Sequence, residues 1–232
     1  MSEGQCKNYS HTPVLLEAFL KYASPISGNW IDCTFGAGGY TKALLEFGAD
    51  TVLGIDRDPE IFVNSKEWSE QYGEKIIMIP GKFGQLVEIA QQANYRSVAG
   101  IVLDIGVSSM QLDHPNRGFS FLSDGPLDMR MSKEGVSAAD ILNNASEKTI
   151  SDLIYYYGEE RFSRKISRTI VEERKRKAIE TTNHLSFLIE RAVGSSMSSK
   201  INPSTRTFQA LRIAVNDELS ELTRCLIGAE EI

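Results

Sequence analysis

The chain has 232 residues, 41% of them apolar and 24% charged, with a net charge of −6. That is the length of one large domain, or of a core domain with a smaller one inserted, and the mixture of a soluble globular protein rather than a disordered or fibrous one. No apolar run approaches the roughly 18 residues of a membrane span, no basic-then-apolar leader opens the chain, and the three scattered cysteines (Cys6, Cys33, Cys225) suit neither a disulfide framework nor a zinc site, so a cytoplasmic protein without metal or membrane is expected.

Thr12-Pro13 has the form of a helix start, with Thr12 as cap and the proline in the first turn, where its missing N–H costs nothing. Val14, Leu15, Ala18, Phe19 and Tyr22 follow at helical spacing. Trp30 to Thr34 reads as a buried strand, Phe35-Gly36-Ala37-Gly38-Gly39 as a glycine loop, and Tyr40 to Phe47 as the helix that follows, closed by Gly48. A second strand, Thr51 to Asp56, ends on an acid, and Asp58-Pro59 starts the next helix. Lys75–Ile79 is a third strand, Phe83–Ala93 a helix, and Ala99–Ile105 a fourth strand that contains Asp104. Strands alternating with helices imply a parallel sheet covered on both faces, an α/β doubly wound core.

From Ser137 the strand signals stop. Helices are expected from Ser137, over Ile150–Tyr157, Glu160–Lys177 and Asn183–Val193, and as one long helix from about Thr205 to Glu230. The expected layout is an α/β core over 1–108, an inserted all-helical domain over 109–203, and a return to the core over 204–232. In the Glu160–Lys177 helix Arg161, Arg164, Lys165 and Arg168 form one basic stripe, while Phe162, Ile166 and Ile170 fall on another face. Arg174 to Lys177 extends the charge. Such a stripe is most often a solvated face, but phosphate binding needs only local positive charge, even on an acidic protein.

In an open α/β sheet, ligands sit beyond the carboxyl ends of the strands where strand order reverses. The glycine loop after the first strand lies there, and Asp56 ends the adjacent strand, suited to both hydroxyls of a ribose. A glycine loop alone is commonly a plain tight turn, but with the strand, the helix and the acid it describes a nucleoside-bearing cofactor. NAD fits less well: Gly-Ala-Gly-Gly-Tyr-Thr lacks the last glycine of the dinucleotide fingerprint, and Asp32 at the loop's start would repel a pyrophosphate while welcoming the amino group of a methionine moiety. S-adenosyl-L-methionine is therefore favoured.

Three strings then become specific: Val102-Leu103-Asp104-Ile105-Gly106-Val107-Ser108-Ser109-Met110-Gln111-Leu112-Asp113, Arg117-Gly118-Phe119-Ser120-Phe121, and Asp124-Gly125-Pro126-Leu127-Asp128-Met129-Arg130-Met131. With His11 to Leu16, Tyr157 to Phe162 and Thr205 to Ile213 they resemble the RsmH (MraW) family, the 16S ribosomal RNA cytosine-N4 methyltransferases. The resemblance covers nearly the whole chain. It implies a Rossmann-like class I methyltransferase core, S-adenosyl-L-methionine as cofactor, and 16S ribosomal RNA or the small ribosomal subunit as partner, with a homodimer allowed. It also implies cofactor contacts at Gly38, Gly39, Tyr40, Asp56, Phe83, Asp104 and Gln111. Tyr40 departs from the histidine many members carry, which puts a side-chain contact there in doubt. Phe83 matches a residue flanking the adenine, although helix-start packing is an equal reading; Gln111 is equally a loop residue.

The family's sheet has seven strands, and its sequences continue past the last helix here; the resemblance thus implies a C-terminally truncated member with about four parallel strands. Methyl transfer to a cytosine amine is difficult because its lone pair is delocalised into the ring. Alignment of the amine and an acceptor for its N–H address that, and Asp104 is the expected catalytic residue. Other amino-methyltransferases follow this acid with Pro-Pro-aromatic, whereas Ile105-Gly106-Val107-Ser108-Ser109 stands here, so no stacking residue is carried over. Phe119, Phe121 and Met129 to Met131 are expected either to line a pocket for an unstacked base or to pack a long ordered loop. The competing function is a fragment that binds cofactor or RNA without turnover; a small-molecule methyltransferase and an NAD oxidoreductase rank lower.

Overall fold

A computed structural model describes residues 13–194 and 202–232. The chain divides into two compact units, one reaching to Gly106 and completed by Ser220–Ile232, the other formed by Val107–Leu219.

The first unit holds a parallel four-stranded sheet, β1 (Asn29–Asp32), β2 (Thr51–Asp56), β3 (Ile76–Pro80) and β4 (Gly100–Val102), in the order β3-β2-β1-β4. Its helices are α1 (Leu16–Ala23), α2 (Gly39–Glu46), α3 (Pro59–Ser69) and α4 (Leu86–Gln92). A parallel sheet is covered on both faces, so its strands are apolar almost throughout and alternate residues serve different layers. Trp30, Val52 and Val102 pack with Tyr40 and Leu44 of α2 on one face. Ile31, Leu53 and Ile55 pack with Leu86, Ile89 and Ala90 of α4 on the other. The α/β class and the four parallel strands are those the sequence predicts.

Several boundaries differ from expectation. Thr12, the expected cap of α1, lies outside the described residues. Within α1 the packed side is Leu16, Phe19, Leu20 and Ala23, while Val14, Leu15 and Tyr22 are exposed. The segment is apolar nearly all round, so two stripes fit the helical period and only packing selects one. Asp58 caps α3 as predicted, its side chain accepting from the Glu60 N–H. β4 ends at Val102, two residues before Asp104.

The second unit is helical: α5 (Ser109–Asp113), α6 (Ala138–Asn144), α7 (Glu147–Gly158), α8 (Ser163–Arg174), α9 (Thr182–Val193) and α10 (Ser204–Asn216). Ser137 caps α6, as the sequence predicts. Ile150 and Ile154 of α7, Ile166 and Ile170 of α8, Leu185, Leu188 and Ile189 of α9, and Leu211 of α10 close one apolar core. Phe119, Met129 and Met131 are buried in it and Phe121 packs against it, its ring 5.2 Å from that of Phe208. The long loop is thus a packed wall of this core, and the expected base pocket gives way to the packing alternative. Asn216 fastens it, its Oδ1 accepting from Met131 N (3.0 Å) and its Nδ2 donating to the Met129 carbonyl (2.8 Å).

The single long helix expected from Thr205 to Glu230 is two. Asp217 takes a left-handed conformation (φ 51°), and α11 (Glu218–Ala229) begins after it. α10 belongs to the helical unit; from Ser220 the chain rejoins the α/β unit, where Leu222, Cys225 and Ala229 pack on the α4 face of the sheet.

Candidate active site

At the carboxyl end of the sheet, backbone hydrogen bonds draw the segment after β1 across its two neighbours. Cys33 N donates to Val102 O (2.9 Å), and Phe35 N donates to Ile55 O (3.0 Å). Between them Thr34 accepts through its Oγ1 from Asp104 N (2.7 Å). The loop therefore sits where strand order reverses, between β1 and β4, and carries the ends of three strands with it.

Gly38 is the turning point into α2. Its φ is 77°, a conformation that L side chains rarely adopt. A Cβ there would collide with the indole of Trp68 from α3. That indole stacks on Phe35 at 5.8 Å with the planes 13° apart, and the Lys42 ammonium lies 4.0 Å from the ring. Phe35 in turn fills the space over Gly54 of β2, where a Cβ would strike its ring. Phe35 and Trp68 thus set the loop's shape. Sequence reasoning missed them, because the residues that support a loop carry no motif of their own.

Three carboxylates gather here. Asp56 accepts from Gly36 N (2.9 Å) on one oxygen and from Asp58 N (2.9 Å) on the other. Burial pushes its carboxyl above the usual range, and the backbone N–H groups of Asp58, Gly36 and Arg57 work against that rise. With three backbone N–H donors on about four lone-pair sites, the carboxylate keeps room for a ligand hydroxyl.

Asp32 is fully buried, its oxygens taken by Thr41 Oγ1 (2.8 Å) and Thr34 N (3.2 Å). The expectation that its carboxylate greets a ligand's amino group therefore changes: Asp32 clamps the first turn of α2 to the loop. Burial raises its pKa to about 6, with Asp56 and Asp104 adding repulsion and the Thr41 and Thr34 hydrogen bonds opposing.

Asp104 is exposed, beyond the end of β4. The desolvation expected of a carboxylate that ends a buried strand does not apply, since the ladder stops first. Its negative charge bears on the Tyr40 hydroxyl. The Tyr40 ring is buried, edge-on to Phe19 at 5.3 Å. Burial foremost, then the charges of Asp104 and Asp32, raise the phenol's pKa above its ordinary value.

Gly38, Gly39, Tyr40, Asp56 and Asp104 therefore meet at the strand ends of one unit. Phe83 belongs to the same unit but is packed in the α4-face core with Ile55 and Leu86. The backbone beside it is held from α11: Glu221 Oε2 accepts from Gly84 N at 3.2 Å. Gln111 lies in the helical unit, buried, with its Oε1 accepting from Ser108 N (3.1 Å) while Ser108 Oγ accepts from Gln111 N (3.2 Å). That reciprocal pairing is a capping box at the start of α5. Among the described residues no group of histidines, cysteines and acids is placed to hold a metal ion, and no helix is long and apolar enough to cross a membrane.

In the helical unit Arg164, Lys165 and Arg168 of α8 are exposed and Ile166 and Ile170 fully buried, as the period predicts. Arg174 does not extend the stripe; its Nη1 donates to the carbonyls of Leu142 (2.6 Å) and Ala145 (2.8 Å), the C-terminal end of α6.

A family model described as the MraW methylase family matches residues 8–232. Among curated proteins, the chain is 51% identical over 220 residues to the ribosomal RNA small subunit methyltransferase H of Roseobacter denitrificans, an alignment covering 95% of this chain and 65% of that protein. It is 49% identical to the protein of that name from Cereibacter sphaeroides (99% and 68% covered). With the Rickettsia massiliae protein so named the identity is 47% (96% and 72% covered). The chain thus spans about two thirds of the length of these relatives. Neither they nor the fold supports a homodimer.

Proposed function

The chain belongs to the MraW methylase family, and from that premise we propose that it methylates the exocyclic N4 amine of a cytidine in 16S ribosomal RNA, using S-adenosyl-L-methionine. The observation that carries this reading is the convergence of Asp56, Asp104 and the Tyr40 hydroxyl around the Gly36–Gly39 loop at the strand ends.

The residues present suit that cofactor. The glycine loop brings bare backbone to the site, Asp56 keeps a lone pair for a ribose hydroxyl, and the carboxylates favour a ligand bearing cationic groups. Gly38, Gly39, Tyr40, Asp56 and Asp104 would hold it, with Phe83 of the same unit as an outlying contact. When bound, it supplies an activated methyl group on a sulfonium. The protein's own task is the acceptor. Asp104 accepts the hydrogen bond of the cytosine N–H, drawing electron density toward the nitrogen as it reacts. The α/β unit binds cofactor, and the helical unit recognises the RNA through α8.

Labelled methyl donor incubated with 16S ribosomal RNA, free or in the small subunit, followed by nucleoside mass spectrometry, tests this. N4-methylcytidine is the expected product. Label at another atom would refute the chemistry, and cofactor or RNA binding with no transfer would favour the competing reading, a binding fragment without turnover.

A further inference from the structure

In the helical unit, Tyr155 and Tyr156 near the end of α7 are 54% and 72% exposed, their rings 5.2 Å apart and 81° to each other. Scattered exposed apolar groups are ordinary, but two neighbouring bare aromatic rings form a contact surface. What lies beside them identifies the partner. The Ser151 and Ser163 hydroxyls are 3.4 Å apart, and Glu147 lies 3.8 Å from Arg168. Moving back along α7 thus means moving forward along α8, so the two helices are antiparallel and Tyr155 falls beside the start of α8.

The direction of the side chains follows from helical geometry. At about 100° per residue, Tyr155 lies one turn beyond Ser151 and slightly further round from the seam, and Arg164 is the residue after Ser163. In antiparallel neighbours, rotation in the same sense from the seam leads to the same side, so Tyr155 and Arg164 share one flank. Arg168, one turn on from Arg164, continues it. Between Arg161 and Lys177 eight side chains are basic and two acidic, in a chain whose net charge is −6.

We propose that Tyr155 and Tyr156, with Arg164 and Arg168, form a docking surface for an unpaired stretch of RNA, whose bases stack on the tyrosine rings while its phosphates meet the arginines. This rests on the RNA reading above and adds the state of the strand. Cations alone would serve a duplex equally well, since phosphates are present on both. An aromatic face gains only from bases whose own faces are open, which excludes the interior of a helix. A second copy of the chain is a poor occupant, because it would bring the same positive surface.

Anisotropy of a labelled unstructured RNA and of a blunt RNA duplex of equal length, measured with the full chain over a range of salt, separates the contributions. Tyr155→Ala/Tyr156→Ala should weaken single-strand binding roughly tenfold or more, leave its salt dependence unchanged and spare the duplex. Tyr155→Phe/Tyr156→Phe should bind as the parent does, because stacking needs the ring and not the hydroxyl. Arg164→Glu/Arg168→Glu should weaken both RNAs and flatten the salt dependence. If the parent binds RNA but the alanine variant matches it, or loses duplex and single strand alike, the tyrosine surface is refuted and the RNA reading stands. If the parent binds neither RNA, both fall. A parent dimer in sedimentation that the alanine variant dissociates would assign the surface to a second copy and overturn the proposal.

Discussion

Asp32 is fully buried between Thr34 and Thr41, and its charge is tolerated rather than favoured. Its folded pKa, about 6, stands above the unfolded value of 3.8. The folded state therefore holds a proton that the unfolded state releases between those values. Its contribution to stability is full below about pH 4 and is lost as pH rises through 6. Asp32→Asn, which keeps an acceptor for Thr34, should raise the melting temperature at pH 8 and lose most of that advantage by pH 3.5. The expected gain is on the order of 3 kcal/mol at most, read from thermal melts at both pH values.

Asp104 and Tyr40 call for a kinetic measurement. Asp104→Asn should leave cofactor affinity in calorimetry within a few-fold and lower turnover by about 100-fold or more. Loss of affinity with equal loss of turnover would assign Asp104 to cofactor binding alone. Tyr40→Phe, which keeps the ring against Phe19 and deletes the hydroxyl, should cost about tenfold in kcat with little change in KM. The glycines and Asp56 were legible in the sequence because strand, turn and acid recur at fixed spacing. The influence of Asp104 on Tyr40 was not, since 64 residues separate the two and only the sheet brings them near each other.

At the scale of elements, the loop between β1 and α2 combines a left-handed glycine with an aromatic support. Gly38→Ala must both enter a strained backbone region and displace Trp68. A loss of at least about 1–3 kcal/mol is expected, seen as a lower denaturation midpoint and weaker cofactor binding. Trp68→Ala in the same chain should relieve the collision but not the strain, so recovery should be partial. Helix starts at Asp58 and Ser137 were readable because capping is local chemistry. The break at Asp217 was not. There Asn216 bonds to the Met129 and Met131 backbone, and Arg212 reaches over the break to Glu218 at 2.7 Å. Those partners are distant or cross the interruption, so the helical period runs through it unmarked.

At the scale of the whole molecule, the α/β unit is discontinuous and the helical unit is not. The general plan, a parallel sheet followed by an inserted run of helices, was legible from alternating periodicities. Where the chain re-enters the sheet was not, because α10 and α11 are both amphipathic and only packing assigns them to different units. A variant ending at Leu219 should keep much of the far-ultraviolet helical signal of Val107–Leu219, while Cys33, buried in the intact chain, becomes open to a thiol reagent. Cys33 as slow to react as in the intact chain would show that α11 is dispensable to that core.

Cys33 and Cys225 are buried together in that core, one at the end of β1 and the other on α11. A ribosome releases these two residues far apart in time, with the whole helical unit between them. The sheet is complete at Val102 with α4 already on that face, but the part of the cover that α11 supplies comes only after the whole helical unit has been made. The helical unit has all its residues in one stretch and is free to fold during that wait. Chaperone demand should accordingly peak before α11 emerges and end when its apolar side reaches the sheet.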